Sequence, residues 1–202
     1  MSDQTKRFLV LVGLIVSAIV LSIVLRAFPH IPNMAPIAAI ALFSGAYFVK
    51  KQWAFAITFL ALFLSDFALQ IQYWVGAREF AGFYPNMIFV YGAIAMVLGI
   101  GLLIKNRINP LTVLGGAVGG SMLFYLVSNF GVWLMGTMYT KTFAGLMECY
   151  AAGIPFYRGT LFGDVIYSAI LFGAFGLILQ SKETWKLAKV KANNDVWPLD
   201  NN

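Results

Sequence analysis

The sequence is poor in the residues on which most enzyme active sites depend. It contains one histidine and one cysteine, and only 11% of its residues are charged. A single histidine excludes a multi-histidine metal site and the H-E-x-x-H motif, and neither the nucleophile elbow G-x-S-x-G nor the phosphate-binding motif G-x-x-x-x-G-K-[ST] is present. We therefore expect a protein that is not an enzyme and that carries no cofactor.

The one cysteine, Cys149, excludes an intramolecular disulfide bond. A lone cysteine among apolar neighbours is most often a small packing residue. Oxidation and metal binding are the alternatives that the sequence leaves open for it.

The scarcity of charge also argues against a soluble domain. Apolar residues make up 60% of the chain and the mean hydropathy is +0.80, which leaves too little polar surface to cover a soluble fold. A helix needs roughly 20 apolar residues to cross ~30 Å of hydrocarbon, and most of six apolar stretches reach about that length. They are residues 8–25, 35–49, 53–73, 86–104, 111–135 and 160–180. We predict an all-α fold, an integral membrane bundle of six transmembrane helices.

Basic residues predict the orientation of this bundle. Short cytoplasmic loops collect Lys and Arg. With the amino terminus inside, ten of the fourteen basic residues lie on the cytoplasmic side, and only Arg26, Arg78, Lys141 and Arg158 lie outside. Both termini are therefore predicted to be cytoplasmic, with residues 1–180 as the transmembrane domain and 181–202 as a basic, polar tail that frays from a helix into disorder.

The net charge of +6 is divided among separate clusters beside the apolar stretches. Anionic lipid headgroups account for such clusters, so membrane lipid is the predicted partner and nucleic acid is not. We expect a multi-pass protein of the bacterial cytoplasmic (inner) membrane.

Polar side chains inside the membrane mark the candidate site, because an ionised group there costs several kcal/mol unless it meets a partner or water. Asp66 and Asp164 are the two carboxylates predicted in the outer half of the bilayer, and Asn129 reaches a similar depth. Asn86 follows Pro85 and opens the fourth helix. Four helices thus contribute polar groups to one level, as expected of a pocket.

The outer connections supply the remaining candidate residues. They are long, covering residues 27–34, 75–85 and 136–159, and long loops in compact proteins are often functional. His30 and Asn33 lie in the first of them, between prolines that stiffen it. Trp133 and Arg158, near the outer boundary, complete the predicted ligand-binding set.

A purely structural role is the alternative for the three intramembrane polar residues. Asp66, Asn129 and Asp164 would then join helices by hydrogen bonds. Asp164, at the predicted start of helix six, would alternatively cap that helix or interact with its dipole, whose positive end would point at the pocket. Residues 115–120 form two overlapping G-x-x-x-G spacings, which favour close helix packing inside the bundle or docking of a partner membrane protein.

Four segments resemble a family of uncharacterised bacterial six-helix membrane proteins. They are Pro29 to Phe48, Leu64-Ser65-Asp66, Ser128 to Trp133, and Cys149 to Asp164. That family is in turn similar in size and topology to the substrate-binding S components of energy-coupling-factor transporters. The resemblance implies six helices, a vitamin-sized ligand held under the outer loops, and a transmembrane coupling subunit as a partner.

Helix one departs from the S-component pattern, because it offers only Gly13, Ser17 and Ala18 where a small-residue face docks the coupling subunit. Ala35, Ala38 and Ala39 on helix two are small enough to substitute for that face. We expect a membrane-embedded binder or importer of a small water-soluble nutrient. The alternative is a structural or assembly factor for another membrane protein, and a third reading, a proton-coupled transporter, would use Asp66 or Asp164 as its proton site.

Overall fold

A computed structural model describes residues 3–27, 34–48 and 50–195, and within these ranges the chain is all-helical with no strand. There are six helices, which are α1 Asp3–Ala27, α2 Ile37–Tyr47, α3 Lys51–Trp74, α4 Met87–Ile104, α5 Pro110–Met135 and α6 Phe143–Asp195. The predicted all-α fold and the number of six helices are therefore confirmed for the described chain.

Four helices are long and apolar enough to cross a membrane. They are α3, α4, α5 and the Phe143–Gln180 part of α6. The apolar part of α1, Leu9–Leu21, and the whole of α2 are shorter. The 11 residues of α2 extend only about 16 Å, about half the ~30 Å hydrocarbon thickness. Six crossings and two cytoplasmic termini stay predictions.

The short helix α2 occupies the centre of the bundle. Every residue from Ile37 to Ala46 is buried, and α2 contacts all five other helices. Its alanine-rich sequence, IAAIALFSGAY, is apolar all round, as expected of a helix without a solvent face. Ala38 and Ala39, the small residues considered for docking of a coupling subunit, are both buried within the bundle.

Two kinds of contact hold α2 in place. Gly45 lies directly against the backbone of α4 at Gly101, where each glycine leaves room for the other helix. Farther around α2, the Phe43 ring packs edge-on against Phe172 and Phe175 of α6, with ring centroids 5.2 and 5.8 Å apart. At its end, the Lys105 Nζ donates a 2.9 Å hydrogen bond to the carbonyl oxygen of Phe48.

The two G-x-x-x-G spacings of α5 lie on different faces of the helix. Gly116 and Gly120 point inward and contact the side chains of Leu42 and Val97. Gly115 and Gly119 are exposed, and a Cβ atom at either position would meet nothing within 4 Å. One spacing therefore serves internal packing, while the other lies on the outer surface of the bundle.

Helix α6 differs most from the sequence expectation. We predicted a loop over residues 136–159 and a helix from residue 160, but α6 begins at Phe143 and continues through Pro155. Two glycines of this segment make close contacts, because Gly145 packs on Thr140 of the α5–α6 connection and Gly153 packs on Asn129 and Tyr125 of α5. The 38 residues of Phe143–Gln180 extend about 57 Å, so α6 projects beyond a ~30 Å hydrocarbon layer even when tilted.

The predicted tail is helical in its first part. The described helix continues past residue 180 to Asp195, where we expected fraying, and residues 196–202 lie outside the described ranges. The short basic connections at residues 50–51 and 105–109 predict that helices two and three, and helices four and five, are neighbours. This is confirmed, since α2 contacts α3 and α4 contacts α5.

A capping box starts α5. The Asn109 side chain accepts a hydrogen bond from the Thr112 backbone N–H, and the Asn109 N–H donates to the Thr112 hydroxyl, both at 3.0 Å. Pro110 follows at the first helical position, where no N–H is needed.

Replacing Asn109 by alanine removes this cap, and we expect the free energy of unfolding to fall by about 0.5–2 kcal/mol. Thermal unfolding of the purified protein in detergent measures the change. Asn106→Ala, an exposed residue of the same connection, is the matched control. Equal stability of the two variants would contradict a stabilising role for the cap.

Candidate ligand-binding site

A cavity of about 800 Å³ opens at one end of the bundle, between the helices and the α3–α4 connection. We call this connection, residues 75–86, the lid loop, because six of its residues border the cavity. Residues from α2 to α6 form the walls, and the first two described residues before α2 also contribute. The lining residues are Met34, Ala35, Ile37, Ala38, Leu62, Asp66, Gln72, Ala77, Arg78, Glu79, Phe80, Tyr84, Asn86, Val90, Ile94, Phe124, Ser128, Asn129, Val132, Gly153, Phe156, Thr160 and Asp164.

Asp66 enters this wall from α3. It lies well inside an apolar helix, and its side chain is only 3% exposed. The Tyr91 hydroxyl of α4 donates a 3.3 Å hydrogen bond to the Oδ2 atom of Asp66. Asp66 therefore links α3 to α4 at the same time as it borders the cavity.

Asp164 enters the wall from α6 and is 2% exposed. Its Oδ2 atom accepts a 2.5 Å hydrogen bond from the Ser121 hydroxyl of α5. Its Oδ1 atom is buried and has no hydrogen-bond partner among the described residues. Asp164 follows the first residue of α6, Phe143, by about six turns, so the expectations that it caps this helix and that the helix dipole points at the pocket are wrong.

Three further polar residues of the wall direct their protons away from the cavity. The Ser128 hydroxyl donates to the Phe124 carbonyl at 2.6 Å, and the Thr160 hydroxyl donates to the Phe156 carbonyl at 3.3 Å. The Asn129 Nδ2 donates to the Tyr125 carbonyl at 2.8 Å. All three bonds reach back four residues along the same helix, which is the usual way for such groups to satisfy a donor in an apolar environment.

The lid loop is fixed to α3 beside Asp66. The Phe83 backbone N–H donates a 3.0 Å hydrogen bond to the Gln70 Oε1. Gly82 is buried against the α3 backbone at the Asp66 carbonyl and the Gln70 N–H, where a Cβ atom would overlap both. Glycine is therefore required at this position by close approach of the loop.

The structure brings four of the predicted site residues together and not the others. Asp66, Asn86, Asn129 and Asp164 all line the cavity. Trp133 and Arg158 do not line it. His30 and Asn33 lie outside the described residues.

Trp133 lies in the last turn of α5 and contacts the α5–α6 connection. Its indole Nε1 donates a 2.8 Å hydrogen bond to the Thr140 carbonyl, and the Lys141 Nζ lies 5.7 Å from the ring centroid. The same Lys141 Nζ donates to the carbonyl oxygens of Trp133 and Gly136 at the end of α5. These contacts order the connection beside the cavity.

Cys149 is buried next to the same wall. Its thiol donates a 3.4 Å hydrogen bond to the Asn129 carbonyl oxygen. Within the described ranges, no group of three or more His, Cys, Asp and Glu side chains is arranged to hold a metal ion. Packing against α5 is the role that these contacts give to Cys149.

Sequence reasoning missed the hydroxyl partners of the carboxylates, Ser121 and Tyr91. Serine and tyrosine are ordinary in apolar helices, and a sequence gives no sign of which ones meet an aspartate across a helix contact. One signal was present, because Thr160, Asp164 and Ser168 recur every four residues and so share one face of α6. All three are buried.

A family model described as DUF6580, a family of unknown function, matches residues 2–187. No curated protein and no solved structure matched the chain.

Proposed function

The chain belongs to the DUF6580 family, and from that premise we propose that it is a membrane-embedded binder or importer of a small, water-soluble, vitamin-sized nutrient. The ligand is held in the cavity under the lid loop. The proposal places the protein in the bacterial inner membrane with six crossings and both termini in the cytoplasm. It follows the resemblance to the S components of energy-coupling-factor transporters.

The observation that carries this proposal is that a cavity large enough for a small molecule is lined by buried polar side chains. A cavity of about 800 Å³ has the size of small-molecule sites in general. Two carboxylates from different helices, Asp66 and Asp164, border it although both are almost fully buried in an apolar bundle. Intramembrane carboxylates are expensive and typically mark the path or the site of a substrate.

The lid loop supports a site that opens to one side of the membrane. Arg78, Glu79 and Tyr84 of this loop border the cavity, so the entrance is polar, while Leu62 of α3 and Ile94 of α4 contribute apolar surface to the walls. A polar entrance suits a ligand that arrives from water. In the proposed orientation this side is the outer one.

An assembly factor for another membrane protein is the second candidate function. The observation that favours it is the outward face of α5, where Gly115 and Gly119 are exposed and contact nothing within 4 Å. Exposed small residues four positions apart allow another transmembrane helix to approach closely. The cavity has no role in this alternative.

Native mass spectrometry of the gently purified full-length protein tests the two candidates. For a binder, we expect a co-purifying small molecule that is absent from Asp66→Ala, because that variant loses a carboxylate of the wall. Glu148→Ala, which removes an exposed carboxylate outside the cavity lining, is the matched control and is expected to retain the molecule.

The stability of Asp66→Ala separates a ligand contact from a purely structural one. A binder loses the bound mass while its unfolding temperature stays within a few degrees of the wild type. The assembly factor would be supported instead by a clearly lower unfolding temperature of Asp66→Ala, together with a wild-type protein that retains a protein subunit and no small molecule.

A further inference from the structure

The deep wall of the cavity presents hydrogen-bond acceptors and almost no donors. The hydroxyl protons of Ser128 and Thr160 are directed to backbone carbonyls of their own helices, which leaves their oxygen lone pairs for a ligand. Asn129 uses an Nδ2 proton in the same way. The two carboxylates, Asp66 and Asp164, accept hydrogen bonds from Tyr91 and Ser121. A ligand that satisfies this wall must bring its own donors.

Asp164 is the group with the strongest need for a donor. Its side chain is 2% exposed, and its Oδ1 atom has no hydrogen-bond partner among the described residues. A buried acceptor without a partner typically costs about 1–3 kcal/mol, and more when it is charged. The Ser121 hydroxyl satisfies only Oδ2, so Oδ1 is the oxygen of this carboxylate that still needs a donor.

The charges of the lining residues also favour a ligand that donates hydrogen bonds and carries positive charge. Asp66, Glu79 and Asp164 provide three carboxylates, whereas Arg78 provides the one cation among the lining residues. Arg78 and Glu79 are adjacent and exposed in the lid loop, so they offset one another at the entrance. The deeper part keeps the two buried carboxylates and attracts positive charge.

The apolar part of the wall distinguishes an organic cation from a metal ion. Phe124, Phe156 and Ile94 provide carbon surface in the cavity that the carboxylates also line. Aromatic faces attract ammonium groups and pack against an organic skeleton, whereas a hard metal ion needs several oxygen ligands around it. Within the described chain, no cluster of three or more candidate metal ligands is present.

We propose that the ligand is an organic cation whose protonated amine donates to the free Oδ1 atom of Asp164, with its carbon skeleton against Phe124 and Phe156. The inference rests on the proposed function and specifies the class of its substrate. Asp66 supplies the second negative charge of the site. A neutral molecule of the same shape donates at best an uncharged, weaker hydrogen bond to Oδ1, and an anionic one is repelled by the carboxylates, so both bind more weakly.

Three probes with one indole skeleton and different charges test this assignment. They are tryptamine, which is a cation at pH 7, the neutral alcohol tryptophol, and the anion indole-3-acetate. Their affinities for the full-length protein in lipid nanodiscs are measured by isothermal titration calorimetry. We expect tryptamine to bind at least about tenfold more tightly than tryptophol, and indole-3-acetate to bind most weakly.

Asp164→Asn retains the shape of the side chain and removes its charge. It is expected to weaken tryptamine binding about tenfold or more and to leave the affinity for tryptophol nearly unchanged. Glu148→Gln, an exposed carboxylate outside the lining, is the matched control. The wild-type comparison of the three probes needs no variant, so the assignment is tested even when Asp164→Asn does not fold.

The remaining outcomes show whether only the organic cation or also the small-molecule binder is overturned. Equal binding of the three probes, or tryptamine binding that Asp164→Asn does not change, overturns the organic cation and leaves the small-molecule binder standing. When no probe binds, the co-purified molecule decides, since a basic nitrogen supports the inference and a neutral or acidic molecule overturns it. Absence of both probe binding and a co-purified molecule overturns the inference and the proposed function together.

Discussion

Gly101→Leu is expected to prevent the bundle from folding, with a loss of more than about 3 kcal/mol in the free energy of unfolding. Gly101 of α4 lies against the backbone of α2 at Leu42 and Gly45, where even a Cβ atom would overlap the Leu42 carbonyl oxygen. Overpacking a well-filled core typically costs 1–3 kcal/mol when side chains can move aside. At Gly101 the new side chain would overlap the backbone of α2, which cannot move aside as a side chain can. The helices α2 and α4 must therefore separate, and their close contact is lost.

Gly99→Leu is the matched control for this prediction. It makes the same substitution two residues earlier on α4, at a glycine with nothing within 4 Å of a Cβ atom. We expect Gly99→Leu to elute as a single species of wild-type size after extraction and to unfold at nearly the wild-type temperature. A Gly101→Leu protein that matches it in size-exclusion chromatography and thermal unfolding would contradict the close α2–α4 contact.

Gly82→Ala is expected to weaken ligand binding by about 5- to 150-fold. The added methyl group overlaps the α3 backbone at Asp66 and Gln70 only while the lid loop lies in its described position. An overpacking cost of about 1–3 kcal/mol therefore applies to this closed loop and not to an open one. In the proposed function the ligand binds under the closed loop, so a lower population of that state lowers the apparent affinity by the same factor.

Calorimetry with the co-purified ligand or with tryptamine measures this effect. The helices of the bundle do not depend on Gly82, so the unfolding temperature is expected to change little. Gly92→Ala is the control. It makes the same substitution, but a Cβ atom at Gly92 would meet nothing within 4 Å, so this variant should bind the ligand as the wild type does. Wild-type affinity in Gly82→Ala would show that the loop position does not govern binding.

Apolar runs were sufficient to predict most of the helical architecture. A continuous run such as that of α4, MIFVYGAIAMVLGIGLLI, has no other stable form in a membrane than a helix. Short basic connections also predicted which helices are neighbours. The central position of α2 was not predictable from the sequence. An apolar run has the same composition when lipid surrounds it as when other helices do, so it was interpreted as an ordinary crossing.

The start of α6 was missed because the loop over residues 136–159 was inferred from the gap between two apolar stretches. This segment contains Gly145, Gly153 and Pro155, which a membrane helix tolerates as well as a loop does. In the structure Gly153 allows α6 to approach Asn129 and Tyr125 of α5, and Pro155 stands inside the helix. The Tyr150 carbonyl near this proline accepts a hydrogen bond from the Tyr125 hydroxyl, which shows how a neighbouring helix supplies donors in such a region.

The candidate site was predictable at the level of charge and depth. Asp66, Asn129, Asp164 and Asn86 were selected because polar groups are rare in apolar helices, and these four line one cavity. Trp133 was selected on its boundary position alone, and its indole bonds to the Thr140 carbonyl instead of lining the cavity. Boundary position does not specify side-chain direction, which depends on the rotation of each helix about its axis.

The burial of α2 has a consequence for synthesis of the protein. Phe43 completes its packing only against Phe172 and Phe175, which the ribosome adds about 130 residues later. Contacts between residues so distant in sequence form late, because a long stretch of chain must be made and placed first. The second helix to emerge from the ribosome is thus one of the last to reach its native surroundings. The 11 residues of α2 are too few to span the bilayer as a stable helix. Until α6 is inserted, the stability of α2 therefore depends on contacts with the surrounding lipid or insertion machinery.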